Sequence, residues 1–312
     1  MKRILICAAA AIVALASCSK TQVVYNDAPE EIGFKAVTGV MTKAVDEWDS
    51  STEVMGVFAN PNGETALYLN NAQFKKDGTQ SYFVGWDGSA HKPYYWPLGK
   101  NLDFVAYAPY KNGVTYDASA SNLTISVDNT SAYTDILYGA VKLENKSKQV
   151  DAYALNMSHA LAWIQVKVVA DQDDVLDINS FDLTEIVKTA TLIVNYTTPA
   201  TPSLSWTPTS ATASVSLLTG SVGTAGSTVD ILVIPAAEQT TFAMNYDLGS
   251  NTNLTWNKDL EGSWVAGYKY IYNISVGASE IKITPEVAAW NKDVNNNGNE
   301  DDTIDSEINQ VV

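Results

Sequence analysis

The feature that most narrows what this chain can fold into is a short run of alternating apolar and polar residues, repeated from end to end and closed each time by turn residues. "VMGVFAN", "LDFVAYAPY", "LAWIQVKVVA", "ATLIVNY", "TFAMNY" and "KYIYNISV" are rich in Val, Ile, Tyr, Phe and Thr. A period of two puts one face of each run into a core, and β-branched and aromatic side chains suit a pleated surface. Asn-Gly, Asp-Gly, Gly-Ser and Thr-Pro stand between the runs, and these are turn formers. No stretch beyond the first eighteen residues carries an apolar stripe at helical spacing over three turns. Short strands at regular spacing predict an all-β fold of antiparallel sandwiches rather than a parallel sheet with crossover helices. About 290 residues after the leader suit two such sandwiches in tandem.

The leader is Met1-Lys2-Arg3, an apolar run from Ile4 to Ala16, and then Leu15-Ala16-Ser17-Cys18. The run is shorter than the roughly twenty residues of a membrane span. Small residues before a cysteine fit a bacterial lipobox, so residues 1–18 are read as a lipoprotein signal and Cys18 as the lipidated residue. Multiple acyl chains give stable anchoring, since each buried methylene contributes about 0.8 kcal/mol. Cys7 leaves with the signal, which removes any disulfide or cysteine-based metal site within one chain. Two polar stretches, "KLENKSKQVDAY" and "ADQDDVLD", flank the strong strand beginning at His159, and the boundary is placed there. The expected division is 1–18 signal, 19–160 N-terminal sandwich with a removable first strand, and 161–312 C-terminal sandwich with an acidic tail.

Charge and chemistry are mostly exclusionary. The full sequence carries a formal net charge of −16, and Arg3 is its single arginine. Without Lys2 and Arg3, 17 lysines face 35 carboxylates. So acidic a surface does not suit nucleic-acid phosphates. His91 and His159 are the two histidines, and neither has a metal-ligand partner at the usual spacing. There is no Gly-x-Ser-x-Gly elbow and no glycine-rich phosphate loop. A non-enzymatic protein without a catalytic residue or an organic cofactor is expected. Tyr94, Tyr95 and Trp96 form an aromatic cluster that reads either as a platform for sugar rings or as one face of a core strand. Asp293, Asn295 and Asn297, followed by Gly298 and Asp301, begin like a calcium loop, so a structural Ca2+ is an expectation there. Position twelve of that loop is Ile304 rather than a bidentate Glu, which favours a solvated turn over a calcium site.

Several segments, in order, resemble the fimbrillins, the Mfa-like and FimA-like subunits of type V pili. After the lipobox, "EIGFKAVTGVMTKA" is similar to the family's opening strand with its trailing Thr-Lys/Arg-Ala. "YYWPLGKNLDFVAYAP" is similar to its Trp-Pro strand pair and "MSHALAWIQVKV" to its central strand. "WVAGYKYIYNISV" and "IKITPEVAAW" are similar to its last two strands, although Pro285 interrupts the final one. The resemblance implies two transthyretin-like β-sandwich domains. It also implies a surface lipoprotein of the outer membrane whose partners are other pilin subunits and surface ligands of host or bacterial cells. In that family a protease cuts after a basic residue behind the first strand, and a strand from another subunit takes the vacated groove. Here Ile32, Phe34 and Ala36 would fill the groove, with Glu31, Gly33 and Lys35 facing outward. Lys43 would be the cut, since it is the one basic residue between Lys35 and Lys75. The alternative is an outer-membrane lipoprotein that binds glycans through Tyr94, Tyr95 and Trp96.

Overall fold

A computed structural model of the chain describes residues 30–37, 54–76, 82–131, 133–143, 152–171, 175–197, 201–236, 240–260 and 263–290. They form strands and no helix. The N-terminal strands are β1 (Phe34–Val37), β2 (Val54–Pro61), β3 (Leu69–Lys76), β4 (Phe83–Trp86) and β5 (Leu102–Ala108). Next come β6 (Thr115–Asp117), β7 (Asn122–Asp128), β8 (Leu137–Leu143), β9 (Tyr153–Asn156) and β10 (Ser158–His159). The second half holds β11 (Ala162–Ala170), β12 (Leu176–Ile186), β13 (Thr189–Asn195), β14 (Ser203–Pro208) and β15 (Ala213–Val222). It ends with β16 (Ser227–Val233), β17 (Thr240–Leu248), β18 (Asn251–Leu260), β19 (Tyr268–Val276) and β20 (Ile281–Ala289).

Eight strands form one sheet in the order β10-β8-β5-β2-β3-β4-β1-β9. Its two ends, β9 and β10, are separated in the chain by Met157 alone, so the sheet curls round until its edges meet. At the seam Gly139 of β8 lies so close to β9 that a Cβ there would stand 2.3 Å from the Asn156 carbonyl oxygen. Only glycine permits that approach. The curled sheet encloses a core of Met55, Val57, Phe74, Phe104, Leu137 and Leu155, with Ile32 and Phe34 among them.

A second sheet, β14-β13-β7-β6, covers the outside of β2 and β5. Phe58, Val105 and Tyr107 from the curled sheet meet Leu123, Ile125, Leu192 and Val194 from the cover. β2 and β5 are therefore buried on both faces, which is why "VMGVFA" and "FVAYA" read as nearly continuous apolar runs. Strands from both sides of residue 160 share the covering sheet, for β13 pairs with β7 from Thr189↔Asp128 to Asn195↔Asn122.

The remaining strands make a sandwich of β16-β11-β19-β20 over β15-β12-β17-β18. Its core takes the alternate residues of β11, β17 and β19, including Ile164, Val166, Phe242, Met244, Tyr270 and Tyr272. β11 runs parallel to β19 and antiparallel to β16. Pro285 does not break the final strand, since β20 runs unbroken through it. The strand is the outer one of its sheet, where a missing N–H sacrifices no ladder bond on the open side.

Candidate functional site

The first strand lies between two others in the curled sheet, and neither is its neighbour in sequence. β1 pairs antiparallel with β4 at Phe34↔Phe83 and parallel with β9 from Phe34↔Tyr153 to Val37↔Asn156. Ahead of β1, residues 30–32 run beside residues 94–96. The Ile32 N–H donates to the Tyr94 carbonyl at 2.7 Å, and the Trp96 N–H donates to the Glu30 carbonyl at 2.9 Å. On the opposite side the Tyr153 N–H donates to the Gly33 carbonyl at 2.8 Å. Segment 30–37 is thus an interior strand, held on both flanks by backbone hydrogen bonds worth about 1 kcal/mol each.

Its side chains fill the curled sheet. Ile32 and Phe34 are both fully buried. The Phe34 ring stands edge-on to Phe74 and Phe104, with centroids 5.4 and 5.1 Å away. Burying two such side chains contributes about 1.5–3 kcal/mol apiece. Lys35 is exposed and Glu31 half-buried, whereas Gly33, expected on the outer face, is buried too. Flanking chain on both sides leaves a residue without a side chain no route to solvent. For Ala36 the backbone register alone is described, opposite Leu155.

Residues 91–96 act as a strap over the entry to this strand. The strap begins in a turn at Asp87, where one carboxylate oxygen accepts the N–H groups of Ser89 and Ala90 and the Ser89 hydroxyl. Those bonds, chiefly the one from Ala90, hold the Asp87 carboxyl below its ordinary pKa. The Lys92 N–H then donates to the Gly85 carbonyl at 2.8 Å. A Cβ on Gly85 would stand 2.1 Å from the Lys92 carbonyl oxygen, so a side chain there would push the strap away. Two side-chain contacts tie the strap and β9 to the strand's entry. His91 Nε2 lies 2.5 Å from a Glu31 carboxylate oxygen. The Tyr153 hydroxyl donates to Glu30 at 3.3 Å. Burial first, and then the Glu30 charge, push the Tyr153 pKa up to about 12.

The aromatic cluster does not present one face. Tyr94 stacks on Phe74 at 5.5 Å, and Trp96 stands edge-on to Phe104 and Tyr153 at 5.7 and 5.5 Å. Both pack against the interior, while Tyr95 between them is 40% exposed. The strap alternates as a strand does, so the three rings do not form a common platform. His159 is fully buried, with Nδ1 3.0 Å from both carboxylate oxygens of Asp135 and its ring stacked on Trp290 at 3.6 Å. Asp135 and Trp290 come from distant loops, and nothing in the sequence beside His159 points to either. Cys18, Lys43 and the loop of Asp293, Asn295, Asn297 and Asp301 lie outside the described residues. Among the described residues no group of three or more His, Cys, Asp or Glu could hold a metal ion.

Comparison with known proteins agrees with this architecture. The fimbrillin-like family matches residues 42–290. A candidate fimbrium subunit of Bacteroides uniformis, Fim1C, is 24% identical over 308 residues, covering 93% of this chain and 95% of that protein. The solved structure of a candidate cell adhesion protein from Bacteroides uniformis superposes with a TM-score of 0.58 at 21% identity. The match covers 84% of this chain and 99% of that one. A fimbrial protein from Bacteroides vulgatus gives a TM-score of 0.53 at 14% identity, over 83% of this chain and 99% of its own. At these identities the two structures speak for a shared fold. The family match spans most of the chain, and the chain belongs to the fimbrillin-like family.

Proposed function

We propose that this chain is a subunit of a type V pilus, exported as an outer-membrane lipoprotein on Cys18 and assembled by exchange of its first strand for one from a sister subunit. The observation that carries the reading is the placement of segment 30–37. It plugs an interior slot with two fully buried side chains, yet its neighbours in the sheet are β4 and β9 and not the β2 that follows it. Taking it out would leave β4 and β9 each with an unpaired edge and an apolar trough between them. Such an edge is a template for strand addition. Uncut, the chain satisfies its own slot and remains a monomer. Cleavage behind the strand, at Lys43, converts a tethered part into one that can leave. The curled sheet with its cover and the C-terminal sandwich are read as the two transthyretin-like units, meeting near residue 160, with β13 and β14 reaching back across the junction. The role is structural rather than catalytic.

Limited trypsin treatment tests this. Cleavage after Lys43 should release the segment before it and produce a ladder of oligomers on a native gel. A chain that is cut there, loses its first strand and stays monomeric at high concentration would overturn the reading.

A further inference from the structure

Beyond the slot, the structure holds a cleft of about 340 Å3 between the start of β3 and the turn after β4. Tyr68, Gln73, Trp86, Asp87, Lys92 and Tyr94 are among the residues that line it. Gln73 and Trp86 are register partners on β3 and β4, so their side chains share the outer face. Gln73 reaches the turn, with Oε1 3.9 Å from the position a Cβ on Gly88 would take. Tyr68 is 41% exposed, and its hydroxyl donates to the Tyr95 carbonyl at 2.5 Å, which fixes the ring at the rim. Lys75 sits 5.0 Å above the Trp86 ring. Asp87 Oδ1 is committed to the turn, and that fixed carboxylate keeps its other oxygen as an acceptor.

The mixture of groups restricts the ligand. Three aromatic rings, Tyr68, Trp86 and Tyr94, offer apolar surface for C–H groups. An amide, a carboxylate and an ammonium offer donors and acceptors of both kinds at short range. An apolar ligand would strip water from those polar groups without replacing it, which is costly. A polyanion would meet Asp87 and the strongly acidic surface. A ring with one C–H face and several hydroxyls satisfies both sets at once, and its hydroxyls can donate to Asp87 while accepting from Lys92 and Gln73. The volume falls in the range of about 300–1,000 Å3 typical of small-molecule sites. We propose that this cleft is a binding site for one sugar ring of a glycan, stacked against Tyr68 and Trp86 and hydrogen-bonded by Gln73, Asp87 and Lys92. The cleft borrows Asp87, Lys92 and Tyr94 from the strap but no residue of segment 30–37, so on the uncut chain it stands or falls independently of strand exchange.

The test is saturation-transfer NMR on the uncut chain with methyl β-galactoside, methyl α-mannoside and N-acetylglucosamine at millimolar concentration. At least one should receive saturation, and Trp86→Ala and Gln73→Ala should each weaken its affinity at least about tenfold. Gln73→Ala keeps a small side chain on the sheet face, so its melting temperature should match that of the parent even if Trp86→Ala unfolds. Leu98→Ala removes a side chain that is 93% exposed and outside the cleft, and should leave binding intact. Transfer to none of the three sugars would overturn the proposal. So would binding that survives Gln73→Ala in a folded protein, or binding that is lost in Leu98→Ala.

Discussion

Phe34 is the residue on which the first strand turns. It is fully buried between two other phenylalanine rings, so Phe34→Ala leaves a ring-sized hole in a core closed on all sides. Truncations of this kind lose about 3–5 kcal/mol, and the denaturant midpoint of the uncut chain should fall accordingly. Lys35→Ala, one residue along on the exposed face, should change stability by less than about 0.5 kcal/mol. Equal effects of the two would mean that the strand is not seated with Phe34 inward. Titration adds a second check at this scale. Burial pushes the Tyr107, Tyr138 and Tyr153 pKa values up to about 12, from an ordinary 10. A folded pKa raised above the unfolded one gives stability that is complete below pH 10 and lost as pH climbs through 12. Melting temperature should therefore hold steady up to about pH 10 and fall between pH 10 and 12, with tyrosinate absorbance rising late. The Tyr153 hydroxyl grips Glu30, so the start of the first strand should loosen in the same window.

At the scale of elements, alternation was the legible signal and pairing was not. β13, β17 and β19 bury every second residue, and their period of two is plain in "TATLIVN", "TTFAMNYDL" and "YKYIYNISV". The inward placement of Ile32 and Phe34 follows from the same rule. The strap could not be found that way. Residues 30–32 pair with residues 94–96 across some sixty positions, and β1 pairs with β9 across more than a hundred. Register between distant strands depends on which edges meet, and no local residue pattern encodes that. The cluster at Tyr94, Tyr95 and Trp96 was open to two readings for the same reason, because a half-buried strand and an aromatic platform look alike until the covering partner is known. Gly85→Ala tests the strap as an element. With no room for a methyl beside the Lys92 carbonyl, the strap should lift. Amide hydrogen exchange at Ile32 and Trp96 should then rise with little change in β13 or β17. Unchanged protection at those two amides would show that the strap does not secure the strand.

Over the whole molecule, three cores share strands rather than sitting in separate bodies. β2 and β5 serve the interior of the curled sheet on one face and the covering sheet on the other. β11 sends Ile164 and Val166 into the sandwich and Trp163 toward the cover, where it meets Trp290 at 5.6 Å. Because β13 completes a sheet begun by β7, residues 161–312 made alone should present unpaired strand edges and aggregate, while the intact chain stays soluble; light scattering distinguishes the two. The sequence carries 35 carboxylates against 19 basic residues, and an excess of like charge on that scale opposes contact between copies of the chain. The proposed function rests on whether a strand edge can be opened by removing segment 30–37 and closed by a replacement. The direct measurement is light scattering on the chain cut after Lys43, with and without a synthetic peptide of residues 30–37. The cut chain should grow into polymers that the peptide suppresses, and the same peptide carrying Phe34→Ala should suppress them poorly. A cut chain that stays monomeric without peptide, or polymers indifferent to both peptides, would contradict an exchangeable first strand.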